Sequence, residues 1–427
     1  MEPGLLLFGL FFLLLLLGVP IVTSIGIAGM LCLWQFSLGI QVMAGNIYAN
    51  IAKFPLLAIP FFILAGFVMD RVGLSRGLVR FLNLLIGPVP GGLGLVAVAG
   101  CVFFGAISGT GPADTAAIGT VMIPAMVKRG YHVGFAAALV AAAATTDVLI
   151  PPSVAFVVYG VITESSIPRL FAAGVIPGLL MGLALIVPVF WISKNRGWGG
   201  DRWGTWAEIG QAAWDAKWGL MAPVIILGGI YGGIFTPTEA AVVAVAYGVL
   251  FGVLVERNFG WGDLYDTLRG AAVSTSVVMM VVAFAGLFSW TGSTMGVMDR
   301  VTKALLGLTN NPYLILRFLN GMLIIAGMLL DAISIYYVFL PIFIPLMKQF
   351  NWDPIWFGIM MTVNLAIGTI TPPVAVNLYV ASNISGASMD EISRWVMPFF
   401  LALVVALLLV TYFPILSLWL PDLLGVK

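Results

Sequence analysis

Four short polar clusters interrupt an otherwise apolar chain, and each is built from residue types that hold small ions. The first is Ser108-Gly109-Thr110-Gly111-Pro112-Ala113-Asp114. The second, Met328 to Ser334, contains Leu330, Asp331 and Ser334. The third, Thr145 to Ser153, places Thr145, Thr146 and Asp147 ahead of Pro151-Pro152, and the fourth, Gly368 to Asn377, places Thr369 and Thr371 ahead of Pro372-Pro373. Tandem prolines end a helix and free the carbonyls on their N-terminal side. Those carbonyls, with nearby hydroxyls, are hard oxygen ligands at the negative end of a helix dipole, suited to Na⁺. The half-helix that starts beyond each break offers free N–H groups and positive potential, suited to a carboxylate. Glycine lets backbone come close to an ion.

On this reading the Na⁺ candidates are Ser108, Gly109, Thr110, Gly111 and Asp114 in the first cluster, and Thr145, Thr146 and Asp147 in the third. Leu330 and Asp331 in the second and Gly368, Thr369 and Thr371 in the fourth complete the set. The candidates for an anionic ligand are Ser108, Thr110, Ser153, Ser334 and Asn377, the last through an amide that can donate. Asp114 and Asp331 follow the polar tips, where an acidic side chain caps the helix that begins there; a carboxylate at membrane depth is costly and functional by default. Asp147 sits inside a break and can neutralise a cation. Glu239, three residues after Thr236, reads as half of a structural capping box.

These clusters need a membrane around them. Of 427 residues 61% are hydrophobic and 9% charged, with a net charge of +1, far from the balance of a soluble domain. The near-zero charge argues against a nucleic-acid partner. Cys32 and Cys101 lie in apolar segments and read as buried thiols, with no metal spacing and no transition-metal site. His132 stands alone beside Lys128 and Arg129, as a solvated turn residue. Neither H-E-x-x-H nor G-x-x-x-x-G-K-[ST] occurs, so neither a zinc protease nor a nucleotide-binding P-loop is indicated. The run Leu5 to Leu17 is signal-like, but Glu2 replaces a basic n-region and hydrophobicity resumes at Ile21, which favours a retained helix.

The apolar runs flanking the first cluster, Gly94 to Ile107 and Thr115 to Val127, have 14 and 13 residues, against about 20 for a crossing. That predicts a re-entrant hairpin over 92–128 with its tip at membrane depth, allowed only where it lines a cavity or is buried in protein. Crossings are expected at 4–17, 21–40, 55–70, 134–163 (broken at the prolines) and 170–192. The order then repeats at 218–235, 238–255, 271–290, a hairpin at 312–347, a broken helix at 355–384, and 395–420.

The repeat keeps register. At an offset of 217, Pro20 pairs with Pro237, Gly45 with Gly262, Tyr48 with Tyr265, Asp114 with Asp331 and Pro124 with Pro341. At 221 the two proline pairs coincide, as do Pro177 and Pro398. Five crossings and one hairpin per half is an odd count, so the second half enters inverted. The fold expected is an all-α polytopic membrane protein of two inverted-topology repeats, 1–193 and 218–427, joined by a Trp-rich interfacial connector, 194–217. Broken helices at equivalent places in inverted repeats point to a secondary transporter with a midplane site, not an enzyme. Gly111 to Asp114 is only superficially like an intramembrane aspartyl protease.

Of the Lys and Arg residues, 12 fall on one side of the ten crossings (Arg71, Arg76, Arg80, Lys128, Arg129, Lys194, Arg196, Arg202, Lys217, Arg257, Arg269, Arg394) and 7 on the other. The richer side is expected to be cytoplasmic, with both termini outside. Gln41 to Ala52 and Asn258 to Arg269 suit helices lying in the lipid interface; the connector, with Trp198, Trp203, Trp206 and Trp214, reads equally as interfacial helix or as plain loop.

Ser108 to Gly119, Phe235-Thr236-Pro237-Thr238-Glu239-Ala240-Ala241 and Ile370-Thr371-Pro372-Pro373-Val374-Ala375-Val376-Asn377 together resemble the large membrane subunit, DctM type, of tripartite ATP-independent periplasmic (TRAP) transporters. The resemblance spans essentially the whole chain. It implies a bacterial inner-membrane, Na⁺-driven importer of small organic anions, C4-dicarboxylates or related carboxylates, that uses no nucleotide. It implies an elevator motion of a transport domain against a scaffold, with ion and substrate held at the four clusters. It also implies two partners, a small four-helix membrane subunit, expected as a separate polypeptide, and a periplasmic substrate-binding protein. A stand-alone Na⁺/dicarboxylate symporter remains an alternative, and from another class an intramembrane enzyme or assembly scaffold.

Overall fold

The computed structural model describes residues 2–87, 89–199 and 203–426, without the side chains of Ser75, Arg76, Ser108 and Leu308. Arg202 and Lys427, used in the charge count, lie outside the described residues. Among the described residues every regular element is a helix. Among the described residues six helices are long and apolar enough to cross a bilayer: Phe54–Arg71, Ile167–Arg196, Pro237–Val255, Trp261–Thr294, Ala332–Phe350 and Met389–Tyr412. The chain is an all-helical, polytopic membrane protein.

The centre is made by the two broken helices. In the first, Val133–Ala143 ends in a 3-10 turn, Ala144–Thr146, and the helix resumes as Val154–Thr163. In the second, Pro354–Gly368 resumes as Val376–Ser385. Every residue from Gly134 to Ala143 and from Ile355 to Gly368 is buried. Helices that are apolar all round belong inside, and here the small Ala and Gly side chains let neighbours approach. Both proline pairs carry a cis peptide bond.

Each broken helix has a helical hairpin against it. The first hairpin has arms Gly92–Ser108 and Gly111–Lys128, and the second has arms Pro312–Gly327 and Ala332–Phe350. The arms of the first are 17 and 18 residues long, longer than the half-length apolar runs, because the helices continue through the polar residues at both ends. Tyr159 ties the halves: its hydroxyl donates to the Pro354 carbonyl at 2.7 Å, and its ring meets that of Tyr336 edge-on at 5.5 Å. Around this core Ile21–Gln35, Ala58–Arg71, Pro237–Leu250 and Trp261–Thr294 pack on one another. Arg71 bridges Asp263 at 2.6 Å within that group.

Two sequence expectations are corrected, and two stretches left open or unassigned are filled. Trp261–Thr294 is one 34-residue helix, not an in-plane helix followed by a crossing; in the first half Gln41–Ile51 is a separate helix. The difference is Pro55, which starts a new turn after Lys53, where the repeat partner is Ala272. Most of the connector is helical: Thr205 and Glu208 form a capping box, and Trp206–Tyr231 runs on without a break. Trp206 and Trp214 are exposed, while Trp198 turns inward and stacks on Tyr131 at 4.9 Å. Two amphipathic helices, Leu74–Ile86 and Val297–Leu308, occupy stretches outside the expected crossings and hairpins. The buried Leu74, Leu78 and Leu82, four residues apart, were the available signal. Lastly, the final segment ends at Tyr412, and Pro414 starts a separate helix, Ile415–Leu423.

Candidate functional site

Both hairpin tips lie on the breaks of their own half. In the first, Gly109 has φ +66°, a left-handed conformation that favours glycine, and a Cβ there would stand 3.0 Å from the Pro152 carbonyl. In the second, the Val374 amide donates to the Met328 carbonyl at 3.2 Å. Close backbone approach recurs on each first arm, at Gly105 and at Gly327. A Cβ on Gly105 would stand 2.8 Å from Asp147 Cα, and one on Gly368 would stand 2.6 Å from the Gly327 backbone.

The halves then interlock. Asn377, buried, donates its Nδ2 to the Ala141 carbonyl at 3.3 Å and to Thr369 Oγ1 at 3.2 Å. Gly111, first residue of its hairpin arm, lies against Asn377 and the Ala144 carbonyl. Between the tips is a cavity of about 320 Å³ lined by Thr110, Gly111, Leu330, Asp331, Thr369 and Val376 among others. It is closed on one side by Ile21, Ile63 and Val278 of the surrounding helices. A larger surface cleft at Lys53, Glu164, Ser165 and Thr236, about 530 Å³, contains none of the expected site residues.

Four half-helices present their N-termini to this cavity, at Gly111, Val154, Ala332 and Val376. Two already carry side-chain caps. Ser153 Oγ accepts from the Phe156 amide at 3.4 Å and donates to the Val148 carbonyl at 2.6 Å. Asp331 Oδ2 accepts from the Ile333 and Ser334 amides at 3.0 and 3.2 Å, and Ser334 Oγ donates to Asp331 Oδ1. Ser153 and Ser334, named as anion contacts, therefore have hydroxyls engaged within the protein. The ends at Gly111 and Val376 follow Thr110 and Ala375, which make no side-chain cap.

Asp331 is the expected cap, but Asp114 is not its counterpart. The N-cap of the first hairpin's second arm is Thr110; Asp114 stands inside the first turn and is fully buried, whereas Asp331 is exposed to the cavity. Asp114 instead shares a buried cluster with Cys101 and Asp147, within electrostatic reach of both. Asp147 is fully buried; the Gly109 N–H is directed at its carboxylate, but neither oxygen is in a hydrogen bond of normal geometry. A buried carboxylate without a partner is strongly unfavourable, so this oxygen pair is suited to a cation. Thr145 and Thr146, also fully buried, donate to the carbonyls of Ala142 and Ala143 at 2.6 and 2.7 Å. Each hydroxyl keeps lone pairs, as do those of Thr369 and Thr371, which donate to Ala366 and Ile367 at 2.7 Å. Gly368, repeat partner of Asp147, gives the second break no such carboxylate. Ser108 ends its helix, and its side chain lies outside the described residues. Glu239 completes the expected capping box, accepting from the Thr236 amide at 2.8 Å.

Comparison with known proteins follows the same lines. Residues 8–416 match the family model described as "Tripartite ATP-independent periplasmic transporter, DctM component". The chain is 45% identical over 97% of its length to the isethionate TRAP transporter permease protein DctMQ of Oleidesulfovibrio alaskensis, spanning 65% of that protein. It is 39% identical to the C4-dicarboxylate TRAP transporter large permease protein DctM of Pseudomonas aeruginosa, covering 95% of each chain. In fold it is similar to the YdaH transporter of Alcanivorax borkumensis, with TM-score 0.64 and 14% identity over 97% of this chain and 98% of the other. The chain belongs to the DctM component family of the TRAP transporters, as a large permease subunit and not an enzyme.

Proposed function

We propose that the chain imports a small organic anion across a bacterial inner membrane, driven by Na⁺. The buried Asp147 carboxylate, beside Asp114 and approached only by the Gly109 N–H with no hydrogen bond of normal geometry, is the observation that carries this reading. Na⁺ held there and at the surrounding carbonyls offsets the buried charge and orders the first hairpin tip. An anion then meets neutralised carboxylates and two uncapped half-helix N-termini. Moving one net charge inward across 100 mV supplies about 2.3 kcal/mol, so two Na⁺ with a monoanion give useful concentrative drive.

The relatives are named for isethionate, C4-dicarboxylates, sialic acid and 2,3-diketo-L-gulonate, all organic anions. The segments 92–192 and 312–420 form the moving elevator domain, and the remaining helices the scaffold. The two halves, 1–193 and 218–427, are inverted repeats, and both termini face the periplasm. The partners are a periplasmic binding protein and a small membrane subunit. The relative named DctMQ, longer than this chain, is in keeping with the latter.

The test is uptake into proteoliposomes holding this chain with both partners. Uptake that needs an inward Na⁺ gradient and the loaded binding protein is expected. Full-rate uptake without Na⁺ excludes the coupling, and uptake independent of the binding protein favours a stand-alone symporter.

A further inference from the structure

We propose that Ile63 and Val278 are the seal of the hairpin cavity, separating it from a release vestibule on the Arg71–Asp263 side. This rests on the import reading above and names the residues that the substrate must pass to leave.

Two cavities meet at the first hairpin tip. The hairpin cavity of about 320 Å³ is one. The other, of about 340 Å³, lies between the same tip and the surrounding helices, bordered by Gly66, Phe67, Ala113 and Ser274. Four residues line both spaces: Thr110 and Pro112 of the tip, and Ile63 and Val278 of the helices around it. These four are therefore the partition. Leu329 and Asp331 border only the first cavity, and Ser274 only the second.

The residue types suit a partition. Ile and Val are branched at Cβ and nearly fixed at χ1 in a helix, so they make a firm wall. An apolar constriction resists water and any ion that keeps its hydration shell. Beyond the wall the side chains become small, with Gly66, Ser274 and Ala113, and space opens again.

The wall stands on a stiff pair of helices. Ile63 lies in Ala58–Arg71 and Val278 in Trp261–Thr294, which pack together. Arg71 donates twice to Asp263 Oδ1, from Nε at 2.8 Å and from Nη2 at 2.6 Å. A Cβ on Gly270 would stand 2.8 Å from the Phe67 ring, so the helices are in close contact there. Thr110 and Pro112 belong instead to a hairpin tip, and a shift of that tip along the wall joins the two cavities.

Chain order gives the direction. Gly66 and Phe67 lie between Ile63 and Arg71, and Ser274 lies one turn from Val278 toward Asp263. The second cavity is thus displaced toward the end that carries Arg71, Arg257 and Arg269, the side expected to be cytoplasmic. For an importer that is the side of release.

The experiment is cysteine labelling of the full chain with its small subunit, in membrane vesicles of each orientation, in NaCl without substrate. The probe is a charged, membrane-impermeant methanethiosulfonate; native Cys32 and Cys101 are buried. With the Arg71 end facing the reagent, Ser274→Cys is expected to react about tenfold or more faster than Leu329→Cys, the rate equivalent of desolvating one polar group. Adding Ile63→Ala and Val278→Ala is expected to bring Leu329→Cys up to the Ser274→Cys rate. Each single substitution asks the same question if the pair together prevents folding. Labelling of Ser274→Cys by a lipid-soluble maleimide alone means that the second cavity opens to lipid, which overturns the vestibule. Equal rates for Ser274→Cys and Leu329→Cys in otherwise unaltered protein overturn the seal. So does a Leu329→Cys rate that the alanine substitutions leave unchanged. Labelling needs neither an ion gradient nor uptake, so failure of the seal and failure of the import reading are told apart.

Discussion

Asn377 donates its side-chain amide to the carbonyl of Ala141, 3.3 Å away, across the boundary between the two halves of the chain. The second half therefore contributes a polar group to the interior of the first broken helix, and the hairpin tip at Gly111 is packed on that link. Replacing Asn377 with Leu removes both donations, to the Ala141 carbonyl and to Thr369 Oγ1. A loss of about 1–3 kcal/mol, read as a lowered midpoint of thermal unfolding, is expected. A midpoint unchanged from the parent protein contradicts it.

Asp147→Asn removes the charge of the buried carboxylate, neither oxygen of which has a hydrogen bond of normal geometry. An ion that binds only the folded state stabilises it by about 2.7 kcal/mol at a hundred times its dissociation constant. The parent protein is thus expected to melt higher in NaCl than in choline chloride, and the variant to lose most of that increment. An intact Na⁺ increment in a folded variant removes Asp147 from the ion site.

Gly368→Ala drives a methyl group to within 2.6–2.7 Å of the Gly327 backbone. Backbone cannot yield as a flexible side chain can, so a penalty of at least about 1–3 kcal/mol and loss of uptake are expected. Gly45→Ala is the control, since nothing lies within 4 Å of its added Cβ. In the helix Gln41–Ile51 that change is expected to be neutral or stabilising by up to about 1 kcal/mol. Thermal melts of the pair decide, and a mild Gly368→Ala denies the close packing.

Asp331 acts as a helix cap through its acceptor oxygens. Asn caps as well as Asp, and Ala does not. Asp331→Ala is therefore expected to cost about 1 kcal/mol and Asp331→Asn only a few tenths, in the same melting assay. Equal losses from both mean that its charge, not the cap, is what the second tip needs.

Much of the site was legible because its markers act locally. Pro151-Pro152 and Pro372-Pro373 break helices whatever surrounds them, and Gly109 permits a left-handed turn from its own backbone freedom. The expected repeat rests on the same kind of residue, since Pro, Gly and Asp hold positions that Leu and Val do not. The amphipathic helices Leu74–Ile86 and Val297–Leu308 are less legible, because charged residues divide their apolar positions and leave no continuous apolar run.

The sequence by itself determined the membrane class, the two hairpins, the two broken helices and the pool of oxygen atoms near the breaks. Only the tertiary structure decided which of those oxygens are already engaged within the protein. Ser153 and Ser334 have their hydroxyls in caps, Asn377 keeps only its acceptor, and Asp147 keeps both oxygens. Asp114 and Asp331 match in register, yet one is buried in a turn and the other exposed on a cavity. The physical reason is that helix breaking is a property of a residue and its chain neighbours. Hydrogen-bond satisfaction and burial depend on atoms hundreds of residues away, such as Ala141 and Asn377, which only packing brings together.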